Sequence, residues 1–260
     1  MKSAMSILWN LLEHPLTRGL SVDDPQTTKQ RRQIIKEKKF LRAIYSEWYC
    51  RLTVELPQQG DVLELGSGAG FFSDFWPDVI TSEIFPIPDI KLVADACRLP
   101  FADDALAAIV MTDVFHHIPD VQSFLSEAMR CVRPGGKLLM IEPWRTKWSE
   151  WVYTRLHQEP FLTCSGWNIP PLGGPLSGAN GALAWIVFER DRGVFEKLYP
   201  AWQIVNIELM MPFSYLLSGG VSLRSLLPGW AYTFIRRLEQ RLNQKRYAMF
   251  AFIGLELRLE

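Results

Sequence analysis

The sequence is short of three things: an excess of one charge, paired cysteines and long apolar runs. Lys plus Arg number 28 and Asp plus Glu number 28, so the formal net charge is zero. Nucleic-acid binders usually carry a basic excess, and its absence disfavours DNA or RNA as a partner. The four cysteines, Cys50, Cys97, Cys131 and Cys164, are far apart and form no C-x-x-C pair. This argues against a zinc site and a disulfide framework, and a reducing cytoplasm is the expected setting. No run of about 18 uncharged apolar residues exists, so no transmembrane helix is expected. The richest segment, residues 221–235, is interrupted by Arg224 and Pro228. Residues 1–12 hold one lysine and a short apolar run broken by Asn10, with no small-residue cleavage site, and do not read as a signal peptide. Met5, Leu8, Trp9 and Leu12 fall at helical spacing instead. Internal repeats and low-complexity tracts are also missing.

What is present is an alternation of short apolar strands with helical segments, over a length that suits one sizeable α/β domain. Residues 1–58 read as a helical N-terminal extension, broken around 14–25, with one long helix over 28–52. That helix carries Lys29, Arg31, Arg32, Lys36, Lys38 and Lys39 near its start, as a solvated face or a contact for anionic lipid or substrate phosphates. Residues 59–143 read as the ligand-binding core. Strands are expected at 61–65, 79–82, 90–94, 107–112 and 137–141, with a helix at 121–132 stopped by Arg133-Pro134-Gly135-Gly136. Near-continuous apolar strands of this kind are typical of a parallel sheet buried on both faces. Residues 144–201, rich in Trp, Gly and Pro, break the rhythm and read as an inserted cap over the site. Residues 202–260 complete the same structural domain with strands at 203–211 and 248–257 and a largely helical 221–243.

The strongest local signal is Val62-Leu63-Glu64-Leu65-Gly66-Ser67-Gly68-Ala69-Gly70. A strand delivers the chain to a tight turn where glycines permit positive φ and remove the Cβ, so backbone can approach a ligand. A helix start beyond it would offer free N–H groups to a carboxylate or phosphate. Dinucleotide sites use G-x-G-x-x-G, whereas here the spacing is G-x-G-x-G. Glu64, two residues before the first glycine, would repel a pyrophosphate and suits a ligand with a positive amino group.

These residues resemble motif I of the class I S-adenosylmethionine (SAM)-dependent methyltransferases, of the type 11 kind. The segments that follow are similar to the rest of that family's core, in order. Val93-Ala94-Asp95-Ala96 with Leu99-Pro100-Phe101 resembles its D-A-x-x-L-P-F segment. Thr112-Asp113 through His116-His117-Ile118-Pro119-Asp120 resembles its H-x-P-D segment, and Arg133-Pro134-Gly135-Gly136 its L-R-P-G-G approach to the fifth strand. The resemblance covers about a third of the chain. It implies a Rossmann-like, seven-stranded, mainly parallel sheet with an antiparallel last strand. It implies SAM as cofactor, S-adenosylhomocysteine as product, and no metal. The cofactor residues it implies are Glu64, Gly66, Ser67, Gly68 and Gly70, then Glu83 at the ribose hydroxyls, Asp95 at the adenine amino group with a backbone N–H from Ala96, and Asp113 lining the pocket. Two departures stand out: Pro77 shortens the helix after motif I, and Ile84-Phe85-Pro86-Ile87-Pro88 follows Glu83 where relatives often continue into a helix.

The activity this implies is transfer of the methyl group of SAM to a small-molecule, sugar or lipid-linked acceptor by in-line displacement. The expected localisation is cytoplasmic, with a peripheral contact at the inner face of a membrane through the basic helix and the apolar C-terminal region. Candidate bases for a hydroxyl acceptor are His116 and His117, which lie just beyond a strand's carboxyl end. His117 aligns with the family's common histidine, and His116 is the freer candidate for the acceptor pocket. His157 is a third candidate. Trp144, Trp148, Trp151, Tyr153, Trp167 and Trp185 either stack on an acceptor or pack the cap. The loops at 177–181 and 213–220, the second with Tyr215, are further acceptor contacts. Two other readings remain open: a SAM-binding or regulatory protein without catalysis, and a nicotinamide-dependent oxidoreductase.

Overall fold

The computed structural model describes residues 12–157, 159–170, 174 and 176–259. The helical spacing of Met5, Leu8 and Trp9 lies outside the described residues. The strands are β1 (Asp61–Leu65), β2 (Ile80–Glu83), β3 (Leu92–Val93), β4 (Leu106–Thr112), β5 (Val132–Pro143), β6 (Trp202–Met210) and β7 (Phe250–Leu257). They form one sheet in the order β3-β2-β1-β4-β5-β7-β6. Pairs from β3 through β5 are parallel, and β7 runs antiparallel between β5 and β6. This is the Rossmann-like sheet expected from the sequence, antiparallel last strand included. The run Leu106–Met111 is buried throughout, as a central strand covered on both faces must be. Strand order reverses between β1 and β4, which stay paired to their carboxyl ends, Leu65 with Met111, and send their following loops to opposite sides.

Where the structure departs from the sequence expectation, the backbone hydrogen bonds give the reason. The long helix at 28–52 is two helices, α1 (Pro25–Glu37) and α2 (Lys39–Glu55). α1 starts on an Asp24 cap, whose side chain accepts the Gln26 N–H, with Pro25 in the first turn. The break falls at Lys38, which adopts extended geometry and points Nζ at the carbonyls of Gly220 and Leu223, 2.5 and 2.8 Å away. Burial lowers the pKa of that ammonium to about 8. The break lets Ile34 and Ile35 on one side and Phe40 and Leu41 on the other all reach the core.

The Arg133–Gly136 stretch does not separate helix from strand. Helix α3 (Val121–Cys131) ends and β5 begins at once, with Val132 pairing Leu106. Gly135, at φ +75°, then carries a bulge that shifts the register before Lys137 pairs Ala108. The expected helix over 221–243 shrinks to the turn Gly229–Ala231 and α8 (Tyr232–Glu239), which follows α4 (Lys147–Leu156), α5 (Leu183–Trp185), α6 (Arg192–Leu198) and α7 (Ser214–Ser218). Residues 221–228 bond sideways instead of along a helix. The Ser222 carbonyl accepts from His14, Arg224 N–H donates to Leu12, and Leu226 N–H donates to Leu217.

Trp48 of α2 is fully buried, stacked against Tyr215 with centroids 5.8 Å apart and tilted against Phe250 at 4.9 Å. It joins the N-terminal helices to β7 and to the loop that carries Tyr215. Trp48→Ala should cost about 3–5 kcal/mol, the usual range for an aromatic truncated in a close-packed core. Urea unfolding at pH 7 measures this, and a loss under about 1 kcal/mol would show the contact to be peripheral.

Candidate active site

The loops beyond the carboxyl ends of β1 and β4 line a cavity of about 670 Å³, the place where open parallel sheets take their ligands. β1 leads into the glycine turn. Gly66 has φ +71°, and a Cβ there would overlap Val114. The helix expected after the turn is absent. The short 3-10 turns Ser67–Ala69 and Phe72–Asp74 replace it. Three of its N–H groups are already engaged: Gly68 donates to Glu83 Oε1 (2.9 Å), Gly70 to the Ser67 carbonyl (3.0 Å) and Phe71 to the Tyr49 hydroxyl (3.3 Å). Phe71 and Phe72 are pulled into the core beside Tyr49.

Of the cofactor residues expected from sequence, Glu64, Gly66, Gly70, Glu83, Asp95, Ala96 and Asp113 line the cavity. Ser67 and Gly68 do not. The Ser67 hydroxyl donates to the Glu64 carbonyl and accepts the Ser82 N–H, and Gly68 faces Glu83, so both brace the turn from behind. Glu64 is buried and makes no ion pair with any described residue. Burial raises its pKa to about 7. Glu83 is buried with Oε2 accepting the Ile84 N–H at 3.1 Å, and burial pushes its pKa up as well. Asp113 sits at φ +62°, in the left-handed region that non-glycine residues seldom adopt. Its side chain faces the cavity interior with 29% exposure, and desolvation brings its pKa to about 7.

The two candidate histidines exchange places relative to expectation. His116 is buried and does not line the cavity. Its Nδ1 lies 2.8 Å from Glu142 Oε2 and its Nε2 3.4 Å from Glu159 Oε2. Those two carboxylates outweigh desolvation and hold its pKa well above the ordinary value. His117 lines the cavity. Burial and then the adjacent charged His116 depress its pKa to about 4, and its Nδ1 lies 3.1 Å from the Gly178 carbonyl. A neutral His117 that donates Nδ1–H to Gly178 turns an Nε2 lone pair free. His157 also lines the cavity, with a lowered pKa from burial. Among the described residues, His116, His117 and Glu159 form the one group whose donor atoms, all within 4.8 Å, suit a metal ion. Both ring nitrogens of His116 already face carboxylates there.

Glu142 and Glu159 escaped the sequence reading. Glu142 is fully buried and accepts the N–H groups of Val114 and Phe115, both at 2.8 Å, and of His116 at 3.3 Å. It thereby shapes the whole loop after β4. An acid followed by proline at the carboxyl end of a strand was the available signal. Glu159 carries no comparable signature. The segment 144–201 supplies Tyr153, His157, Glu159, Phe161, Ser177 and Gly178 to the wall. None of its tryptophans lines the cavity. Trp148 donates to the Pro212 carbonyl and Trp167 to Asp191, so their indole N–H groups are held within the fold and away from the cavity. From the 213–220 loop, Tyr215, Leu216, Gly219 and Gly220 reach the wall.

Comparison with known proteins agrees with this geometry. Residues 63–140 match the family described as "Methyltransferase domain". A demethylmenaquinone methyltransferase of Mycolicibacterium paratuberculosis is 42% identical over 52 residues, which is 20% of this chain and 23% of that protein. The chain spans less than half the length of the first curated relatives it matches. Two solved structures share the fold. One is a SAM-dependent methyltransferase of Thermotoga maritima, described as a possible histamine N-methyltransferase (TM-score 0.53, 14% identity, 87% of this chain and 99% of that chain). The other is the geranyl diphosphate C-methyltransferase of Streptomyces coelicolor A3(2), crystallised with Mg2+, geranyl diphosphate and S-adenosyl-L-homocysteine (TM-score 0.52, 14% identity, 97% and 96%).

The raised pKa of Glu64 fixes the sign of a stability effect. The folded protein favours the protonated acid, so its stabilising contribution is full below about pH 4.5 and is lost as pH rises through about 7. Glu64→Gln, which stays neutral, should therefore raise the melting temperature of the ligand-free protein at pH 8. The gain is on the order of 3 kcal/mol. At pH 5 the variant should differ little from wild type. Equal effects at both pH values would contradict the burial argument.

Proposed function

We propose that this chain, whose residues 63–140 form a methyltransferase domain of the class I SAM-dependent kind, transfers the methyl group of SAM to a small-molecule, sugar or lipid-linked acceptor. The observation that carries this is Glu64, a buried acid without a cationic partner, beside a turn that is bare of side chains and opens into a cavity. Such a place favours a cationic ligand over a pyrophosphate, which sets aside the nicotinamide reading.

Bound SAM supplies a methyl group already activated on a sulfonium. The chain's task is to hold and orient. Glu64 takes the positive amino group. Glu83 holds the ribose hydroxyls, with Asp95 and the Ala96 N–H at the adenine, as the family resemblance implies. Asp113, held close by the backbone bond of its N–H to Ile141, contributes negative charge near the cation. Alignment of donor and acceptor in one cavity contributes roughly 7–11 kcal/mol to such reactions. His117, neutral and facing the cavity, accepts a hydrogen bond at Nε2 from a hydroxyl or amine acceptor and so orients it. His116 positions it from behind, anchored between Glu142 and Glu159.

The acceptor end also touches a second feature. Leu226, Trp230, Phe234 and Leu238 recur every fourth residue and are exposed, Trp230 at 84% and Phe234 at 63%. Exposed Arg237, Arg241, Lys245 and Arg246 flank them. Residues 216 and 219–223 of the same segment wall the cavity. An apolar stripe with a basic border suits the surface of an anionic membrane and supports a lipid-linked acceptor. Of the basic helix expected from sequence, Arg31 faces the cavity, Lys38 reaches carbonyls and Arg32 lies near Asp89, which leaves Lys29, Lys36 and Lys39 exposed as its part of such a contact. Among the described residues no helix is long and apolar enough to cross a membrane.

The test is thermal stability with SAM, S-adenosylhomocysteine and NAD, because a ligand of the folded state raises the melting point. The first two should raise it and NAD should not. Methyl-labelled SAM added to an extract of the source cells should then label an acceptor. Binding without any labelled product would instead favour a non-catalytic SAM-binding protein. Trp230→Ala with Phe234→Ala should abolish co-sedimentation with phosphatidylglycerol vesicles at low salt while leaving S-adenosylhomocysteine binding intact. Unchanged sedimentation would remove the membrane contact.

A further inference from the structure

The wall of the cavity holds five acids, Glu64, Glu83, Asp95, Asp113 and Glu159, and a single Lys or Arg among the described residues, Arg31. Arg31 lies on α1, on the side that faces the glycine turn across Thr28. Its Nε is shut off from solvent and has no hydrogen-bond partner. No carboxylate of the described residues lies within ion-pair distance of it, whereas its helix neighbour Arg32 is paired with Asp89 at 3.5 Å. Its charge is nonetheless felt at Tyr45, Asp113 and His157, so the guanidinium sits among the groups that line the cavity.

A half-buried cation without an acid is costly unless a ligand supplies the anion. The glycine turn does not offer the usual alternative. In a strand-turn-helix site, the free N–H groups at the helix start receive a carboxylate. Here the N–H groups of Gly68, Gly70 and Phe71 are spent on Glu83, Ser67 and Tyr49, and no regular helix follows. A ligand that carries an ammonium and a carboxylate on one carbon thus finds its cation seat at Glu64 and, with these three N–H groups spent, only a weakened anion seat at the turn. A guanidinium fork matches a carboxylate in planar, bidentate geometry and is favoured where such recognition is needed.

We infer that Arg31 is the cavity's carboxylate-binding residue and takes the α-carboxylate of the cofactor's amino acid. The inference rests on the SAM reading above. It makes α1 a structural part of the cofactor site and assigns Arg31 a role that the motifs of residues 63–140 do not contain.

Calorimetric titration of the full chain with two ligands tests it: S-adenosylhomocysteine, and S-adenosyl-3-thiopropylamine, the same molecule without the carboxylate. Wild type should bind the first about 10- to 100-fold more tightly, the range of a charge-assisted hydrogen bond. Arg31→Gln should bind the two within about threefold of each other, with the affinity for the decarboxylated ligand unchanged. Arg31→Lys should keep part of the preference, since it retains charge and loses the fork. Circular dichroism of each ligand-free variant shows that it is folded. A wild-type preference preserved in Arg31→Gln would overturn the inference, and so would an equal loss of both ligands, which would mark a structural role. Failure of wild type to bind either ligand would overturn the SAM reading together with it.

Discussion

A carboxyl group removed from water needs either a proton or a cation, and Glu64 has no cation within the described chain. That imbalance organises the carboxyl edge of the sheet. Glu83 meets the same demand differently, by accepting the N–H groups of Gly68 and Ile84. Asp113 meets it in part through His116, 3.9 Å away. The close approach of these acids is possible because Gly66 and Gly68 present no side chain where Val114, Thr28 and Glu83 already stand. The protein therefore holds negative potential in a dry place, and a cationic ligand stabilises it more than any group of its own. Destabilisation of this kind is common where a site is built for binding at the expense of the empty fold.

The second constraint lies behind the acceptor wall. Glu142 fixes three successive N–H groups and the ring of His116, so the loop after β4 has little freedom. His116 passes that rigidity to Glu159 of the cap. Burial, and then the charge left on His116, its neighbour at 4.2 Å between ring centroids, keep His117 neutral. Two adjacent histidines of one sequence motif thus take opposite protonation states. This is how a shared environment separates a charged positioning residue from one that keeps a free lone pair.

Much of this edge was legible in the sequence because it is local. The glycine turn, β1 and the strand-ending acids each depend on residues within a few positions of one another, and the chain's alternation of strand and helix gives the sheet. What stayed hidden depends on distant partners. The break at Lys38 exists because carbonyls 182 and 185 residues away accept its ammonium. The ranking of His116 and His117 was reversed because Glu142 and Glu159 are invisible to periodicity. The loss of the helix after the glycine turn required Tyr49 and Glu83 to take its N–H groups. The stretch 221–243 read as one helix because its pattern is helical, whereas the backbone of Ser222 and Arg224 bonds across to His14 and Leu12.

Proton exchange during binding reports most directly on whether the acids at this edge await a cation. Calorimetric titration of the wild-type chain with S-adenosylhomocysteine at pH 7, repeated in buffers of different ionisation enthalpy, counts the protons that leave. Glu64 and Asp113 stand near half protonation at that pH, so arrival of the ligand's ammonium group should release close to one proton in total. The release should fade at pH 9, where both are already ionised. Proton uptake at pH 7, or a release that is the same at both pH values, would contradict the account.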